Sequence, residues 1–264
     1  MSFSLSDINV EEKKKEKQKE GDVSLSSSFI FNHLADNWGI TLGTHLRRIL
    51  LDCVGGIALC GVKLADINGP VKTKFSTLVG TNKATFFLIS SLKQIIFSEN
   101  DDERESLSQK TISFSEISSF SLKVKSKDEE IIIKAGDFVE VGGSNKITIK
   151  NPDLELAVLS PNSILEITLF CRKGFGYLIE RKQEDIFSEL TEDFVIVLDS
   201  NYSPVKNVFF KEEIIVTSLV DKEEKLTLDI ETSGSVSPKK ALEEALYIIS
   251  SIWENIEKRV RDLS

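Results

Sequence analysis

The stretch from Asn37 to Leu51, Asn-Trp-Gly-Ile-Thr-Leu-Gly-Thr-His-Leu-Arg-Arg-Ile-Leu-Leu, carries the pattern around which the rest of the chain is organised. Read as a helix from Ile40, it sets Leu42, Leu46, Ile49, Leu50 and Cys53 at spacings that fall on one stripe. Thr44, Arg48 and Leu51 then point away from that stripe. A helix with one apolar side, and an arginine beside a leucine on the other, has two surfaces to satisfy. One faces its own core or a twin, and the other faces something else.

The far end of the chain carries a second helix signal. Ser237 suits an N-cap, and Pro238 suits the first helical position, where its missing N–H costs nothing. Leu242, Leu246, Ile249, Trp253, Ile256, Val260 and Leu263 then alternate spacings of four and three. That is the roughly 3.5-residue period of a helix packed lengthwise on another helix. Ala245, Ile248 and Ile252 widen the stripe. Two striped helices near opposite ends imply one domain whose halves flank an insertion.

Between them the texture is mostly β. A short strand ends in Ser-Phe-Ile-Phe before the first helix, and Cys53 to Ile67 reads as a turn at Gly55-Gly56 followed by a strand. Phe86 to Ile89 and Leu92 to Phe97 fit helix or strand equally well. Glu99 to Gln109 reads as an exposed polar loop. Period-two stretches follow at Phe120–Val124, Ile131–Lys134, Phe138–Val141, Lys146–Ile149 and Leu165–Arg172, divided by Gly142-Gly143 and Asn151-Pro152-Asp153. Further strands are predicted at Phe194–Asp199, Val205–Phe210, Ile214–Val220 and Leu226–Glu231. Residues 11–20 hold no apolar group and read as a solvated tail.

Composition narrows the function. The chain has 264 residues, 41% of them hydrophobic and 28% charged, as ordinary globular proteins do. No apolar run is long enough to span a bilayer, and the N-terminus lacks the basic start and apolar centre of a secretory signal. Cys53, Cys60 and Cys171 lie far apart without a Cys-x-x-Cys pair, which argues against zinc or a disulfide framework. A net charge of −9 argues against direct gripping of nucleic acid, since that affinity comes largely from neutralising phosphates.

No titratable constellation suggests catalysis. His33 and His45 stand alone, and no hydrolase elbow or phosphate-binding loop is present. The nearest glycine loop, Arg172-Lys173-Gly174-Phe175-Gly176-Tyr177, is followed by Leu178 to Arg181, which reads as extended. A phosphate cradle would need a helix there. Asp137, Asp199 and Asp229 fall on or beside different strands, with nothing in the sequence to pair them. These patterns predict no catalytic residue, no metal site and no cofactor, and they favour a binding or scaffolding protein.

Gly39 to Leu51, with its Thr-Leu-Gly entry and Arg47-Arg48 pair, resembles the first helix of the alpha subunit of bacterial-type RNA polymerase. The resemblance continues in order along most of residues 25–258. Lys74 to Gly80, Leu92-Lys93, Arg172 to Tyr177, Tyr202-Ser203-Pro204-Val205 and Glu231 to Pro238 are each similar to a stretch of that family. There are departures. Lys74 replaces an acid, Thr81 to Ala84 lacks the usual acidic residues, and Lys239 and Lys240 stand at commonly acidic positions. The chain also stops just after the last helix, where the family's linker and C-terminal DNA- and activator-binding domain would follow, so upstream-element recognition is not carried over.

The resemblance implies an α+β fold of two lobes. A dimerisation lobe of antiparallel sheet plus two helices (24–54 and 176–258) is interrupted by a mostly-β inserted lobe (55–175), with tails at 1–23 and 259–264. Two copies would pair through the helices Ile40–Asp52 and Pro238–Val260, using Leu42, Leu46, Ile49, Leu50, Leu242, Leu246, Ile249, Trp253 and Ile256. Arg47, Arg48, Leu51, Lys93, Arg172, Lys173, Gly174, Gly176 and Tyr177 match positions where the family meets its large subunits. The implied partners are a second copy and the beta and beta-prime type catalytic subunits, with DNA reached only through the complex and no membrane. A homodimeric adaptor detached from any polymerase is the alternative, though it need not keep Arg48 or Lys93. A composition rich in Ile, Lys, Phe and Ser with a single Met points to an AT-rich genome, and so to a plastid rather than a bacterial cytoplasm.

Overall fold

The computed structural model describes residues 8–15, 23–99, 117–141, 147–187, 194–216 and 222–263. In chain order its elements begin β1 (Asn9–Lys15), β2 (Leu25–Ala35), α1 (Trp38–Asp52), β3 (Gly55–Asp66), β4 (Gly69–Pro70), α2 (Thr85–Leu92) and β5 (Phe97–Glu99). Then come β6 (Ile117–Lys125), β7 (Ile131–Lys134), β8 (Val139–Val141), β9 (Ile147–Ile149), β10 (Glu155–Leu159) and β11 (Ile164–Phe175). The chain closes with β12 (Tyr177–Leu178), α3 (Glu180–Phe187), β13 (Ile196–Val197), β14 (Ser200–Asn201), β15 (Val205–Val216), β16 (Lys222–Thr232) and α4 (Pro238–Arg261).

The chain divides into two compact units, Met1–Val54 with Ser203–Ser264, and Gly55–Tyr202. The second crossing therefore lies after Tyr202. Residues 176–202, placed with the dimerisation lobe by the resemblance, fold with the inserted unit, because β13 pairs with β3 and β14 pairs with β12.

The first unit is a four-stranded antiparallel sheet in the order β1-β2-β16-β15, with α1 and α4 on one face. Strand β16 shows why. Leu226, Leu228 and Ile230 are buried, while Lys225, Thr227 and Asp229 between them are half-exposed, the period-two alternation of a strand with one covered face. Phe29 and Phe31 of β2 join the same core, and Leu46, Leu50, Ala241, Leu242 and Ala245 close it from the helices. Strand β15 runs unbroken where the sequence reads as two strands. The polar Lys211-Glu212-Glu213 interrupts its apolar pattern, yet pairing with β16 continues to Val216↔Lys222. The predicted stretch 217–220 lies outside the described residues.

Strand β1 corrects the predicted solvated tail. Asn9–Lys15 pairs along β2 from Asn9↔Asn32 to Lys15↔Ser26, with Glu11 to Lys14 exposed. The backbone ladder holds it, supplemented by Ser27 Oγ donating to Glu12 Oε1 at 3.1 Å. A run of exposed charges is also what keeps an edge strand from recruiting further strands. Residues 1–7 and 16–22 of that tail lie outside the described residues. At the other end α4 runs through Arg261, so the predicted tail from 259 is helical at its start.

The second unit is built on a larger antiparallel sheet in the order β13-β3-β11-β6-β8, with β4 paired to β3. Gly55 and Gly56 begin β3 and do not make a turn. They pair with Phe175 and Gly174, and the Phe175 ring lies 2.8 Å from where a Cβ on Gly55 would stand. The ambiguous apolar segment resolves as α2, which buries Thr85, Leu88, Ile89 and Leu92, followed by β5. The loop predicted at Glu99–Gln109 begins within β5 and otherwise lies outside the described residues, as does Gly142-Gly143. Strand β10 carries no clear signal in the sequence. A further correction falls at Glu180 and Arg181, predicted as extended but opening a helix that runs to Phe187; among its described side chains Gln183 and Phe187 turn inward, too few to show a period. Among the described residues no helix is long and apolar enough to cross a membrane.

Candidate interaction surfaces

In the first unit, α4 starts as the sequence predicts. Ser237 Oγ accepts the Lys240 amide at 3.3 Å, and Pro238 follows. At 24 residues the helix is about 36 Å long. Its first turns bury Ala241, Leu242 and Ala245. Beyond them Trp253 is 60% exposed and Ile256 47%, and Leu246, Ile252 and Val260 are also exposed. The stripe thus continues past the core that covers its beginning.

This divides the predicted dimer seam. Leu46, Leu50 and Leu242 are buried in the unit's own core, and Leu42, Ile49 and Ile249 are half-buried against it. Leu46, Leu50 and Leu242 are corrected from seam to core, because the sheet needs both helices to cover it, whereas Leu42, Ile49 and Ile249 keep part of their surface exposed. Leu246, Trp253 and Ile256 remain free for a partner. Sequence reading missed other exposed apolar groups of this unit, namely Trp38, Ile40, Phe209, Ile214 and Ile215.

Helix α1 presents Arg47 and Arg48 to solvent, while Leu51 packs half-buried against the core. Its start is held from β16. Asn37, in the left-handed region at φ 65°, lends no side-chain cap. Buried Glu224 accepts the Asn37 amide at 2.8 Å and the Gly39 amide at 2.7 Å, putting a carboxylate at the positive end of the helix. Gly43 lies so close to β15 that an added Cβ would stand 2.5 Å from the Phe210 ring. His33 and His45 have local partners, Glu223 and the Thr41 carbonyl, each at 2.7 Å.

In the second unit the Arg172–Tyr177 segment separates into inward and outward residues. Arg172 is 6% exposed, and its guanidinium lies 5.6 Å from the centre of the Tyr202 ring. It is thereby corrected from a partner contact to an internal residue. Gly174 is required by the same ring, since a Cβ there would come within 2.8 Å of Tyr202. Lys173 turns to Glu99, at 2.9 Å. Gly176, at φ 57°, takes the left-handed conformation that glycine tolerates best, and its carbonyl accepts the Tyr202 amide at 2.8 Å. Tyr177 is left outside.

Tyr177 and Lys93 meet on Asp199, a residue the sequence left unpaired. Lys93 Nζ lies 2.6 Å from Asp199 Oδ1, and Tyr177 OH donates to Asp199 Oδ2 at 2.8 Å. The bond from Lys93, more than burial, fixes the balance and holds the Asp199 carboxyl below its usual range. The bond to Asp199 in turn raises the Tyr177 hydroxyl. Only the fold brings these three segments together; no spacing in the sequence could signal it. Cys60 and Cys171 are buried, which pushes the Cys60 thiol up to about 12 and the Cys171 thiol well up, so neither is a thiolate at neutral pH.

Residues 34–252 match the family described as the RNA polymerase Rpb3/Rpb11 dimerisation domain. The chain is 29% identical over 244 residues to the DNA-directed RNA polymerase subunit alpha of Lawsonia intracellularis, covering 91% of this chain and 63% of that protein. It is 30% identical over 249 residues to the subunit of the same name from Phaeodactylum tricornutum, covering 94% and 71%. The Porphyra purpurea subunit is 29% identical over 238 residues, covering 90% and 68%.

Proposed function

The chain belongs to the alpha-subunit family of DNA-directed RNA polymerase, and from that membership we propose that it pairs with a second copy and scaffolds two large catalytic subunits. The observation that carries this reading is the stripe Leu246, Trp253 and Ile256, which runs beyond the unit's own core on a helix otherwise faced with charge. A row of exposed large apolar side chains at heptad spacing is stabilised by a matching row on another helix. The twofold pairing of identical helices supplies that row without a second gene product. The beta and beta-prime type subunits would then bind one copy each. Arg47 and Arg48 on α1, with Lys93 and Tyr177 on the second unit, offer exposed polar groups for that contact, and a guanidinium suits it because its planar fork can hold a carboxylate with two bonds.

On this reading nucleotidyl transfer and DNA binding reside in the large subunits, and this chain organises them. Its net charge of −9 agrees with an indirect relation to DNA. The AT-biased composition and the relatives in Phaeodactylum tricornutum and Porphyra purpurea support a plastid setting. The test is light scattering together with affinity capture. Wild type should run as a dimer and retain both large subunits. Trp253→Asp with Ile256→Asp should give monomers, and Arg48→Ala should stay dimeric yet lose a large subunit. A double Asp variant that remains dimeric would overturn the pairing.

A further inference from the structure

We propose, resting on the scaffold reading above, that a buried polar knot of Arg172, Gln183 and Ser200 around Tyr202 is the positioning device for the exposed Lys93–Asp199–Tyr177 cluster. The scaffold reading gives the cluster its use but leaves the four buried residues without a role. All seven residues belong to the second unit.

The cluster cannot hold itself in place. Tyr177 is 61% exposed, and the Lys93 and Asp199 side chains are 32% and 43% exposed. Ion pairs and hydrogen bonds so open to water gain little against the freedom of the chains that make them. The ladder beneath them is no stronger. Strands β12 and β14 share two residue pairs, Tyr177↔Asn201 and Leu178↔Ser200, and even a longer two-stranded ribbon is marginal in water. Another part of the unit must fix it.

Alternation along the chain shows which part. Asp199 and Asn201 lie toward solvent, while Ser200 and Tyr202 between and after them are buried. Arg172 and Gly174, two apart on β11, share one face of that strand. The Tyr202 ring lies against Gly174, with the Arg172 guanidinium 5.6 Å from its centre. Gln183 Nε2 donates to the Tyr202 hydroxyl at 2.5 Å and to Ser200 Oγ at 3.2 Å, and Ser200 Oγ donates to the Leu59 carbonyl at 2.6 Å. The Tyr202 amide donates to the Gly176 carbonyl at 2.8 Å. The knot therefore reaches the cluster at both ends, since Ser200 adjoins Asp199 and Gly176 adjoins Tyr177.

Apolar side chains would fill this site at less cost. Arg172 is 6% exposed and Gln183 is fully buried, and Arg172 Nε and Gln183 Oε1 have no hydrogen-bond partner among the described residues. Unpaired polar atoms in the interior lower stability. What the polar groups add is direction, because their bonds fix one ring and one hydroxyl where apolar contacts would let them slide.

The experiment follows the ionisation of Tyr177 in the full chain by magnetic resonance of isotope-labelled tyrosine, its signal identified by its loss in Tyr177→Phe. The bond to Asp199 raises the Tyr177 hydroxyl. Gln183→Leu and Arg172→Met, which keep most of the bulk but not the polarity, should each bring it back towards about 10. They should also weaken capture of one large subunit about tenfold. Gln183→Glu can still bond the Tyr202 hydroxyl and should keep the wild-type titration. Leu156, fully buried on β10, supplies the control: Leu156→Ala should lower the urea midpoint and leave Tyr177 unmoved. An unchanged titration in the leucine and methionine variants, an equal shift in Leu156→Ala, or failure of Gln183→Glu to restore it would each overturn the knot's role. So would a shifted titration with capture as strong as wild type, since the cluster would then have moved at no cost to the contact. If wild type captures neither large subunit the scaffold reading fails, whereas the titration needs no partner and still decides whether the knot positions the cluster.

Discussion

Glu224, on β16, sets one carboxylate oxygen 2.7 Å from the amide of Gly39 in the first turn of α1, 185 residues away in sequence. A Cβ on Gly39 would stand 2.9 Å from that same oxygen, so glycine is what leaves room for the bond. The last strand of the sheet thereby caps the first helix. Glu224→Ala should lower stability by about 1–2 kcal/mol, the usual loss when a helix loses its cap and its amides lose an acceptor. Glu224→Gln, which keeps one acceptor oxygen, should lose less. Urea unfolding midpoints decide it; equal midpoints for all three proteins would remove the cap from the account.

Two leucines on the predicted seam should behave oppositely. Leu46 is fully buried in the core, so Leu46→Ala should cost about 2–5 kcal/mol of stability. Leu246 is exposed in the single chain, so Leu246→Ala should leave the fold within about 1 kcal/mol of wild type but weaken pairing. Unfolding curves and sedimentation, measured on both variants, separate core from interface.

The Lys93–Asp199–Tyr177 cluster predicts a pH signature. Asp199 is depressed in the folded state, so its contribution is complete above about pH 3.9 and lost as pH falls through the lower folded value. Tyr177 is raised, so its contribution is complete below about pH 10 and lost as pH rises through the folded value. Asp199→Asn should bring Tyr177 back towards about 10. The chain has 3 tyrosines, so the ultraviolet absorbance of tyrosinate can follow the change. An unaltered titration in the variant would mean that the hydrogen bond does not govern Tyr177.

Strand β1 predicts protection where composition argues for none. Amides in Asn9–Lys15 should exchange with deuterium more slowly than those of a free peptide of the same sequence. Matching rates would return that segment to the solvated tail that its charges imply.

Periodicity made α1 and α4 legible because each carries a long apolar stripe, and it made β16 legible because every second residue is buried. The same logic misassigned Leu46 and Leu242. A stripe records that a helix is covered, not whether its own sheet or another chain covers it. Strand β1 was hidden because a ladder of backbone bonds needs no apolar residue, and α3 because Gln183 and Phe187, its inward residues among the described side chains, make no period. Arg172 was placed at a partner contact by the resemblance, yet Tyr202 covers it, and the pairing of Asp199 with Lys93 spans a separation that no local pattern encodes.

The sheet of the first unit joins β2 to β16 across the whole length of the inserted unit. During synthesis the ribosome therefore releases Phe29, Phe31 and Leu46 long before Leu226, Leu228 and Ile230 exist to cover them. Leu46 and Leu226 are 180 residues apart (226 − 46), or roughly 9–36 s at about 5–20 residues per second. The inserted unit can reach its final form within that interval, whereas the first half of the other must wait, its greasy face open to chaperones and to neighbouring nascent chains. That exposure ends only when β16 and the first turns of α4 have both emerged, so the helix that seals the core is the one whose outer half carries Leu246, Trp253 and Ile256.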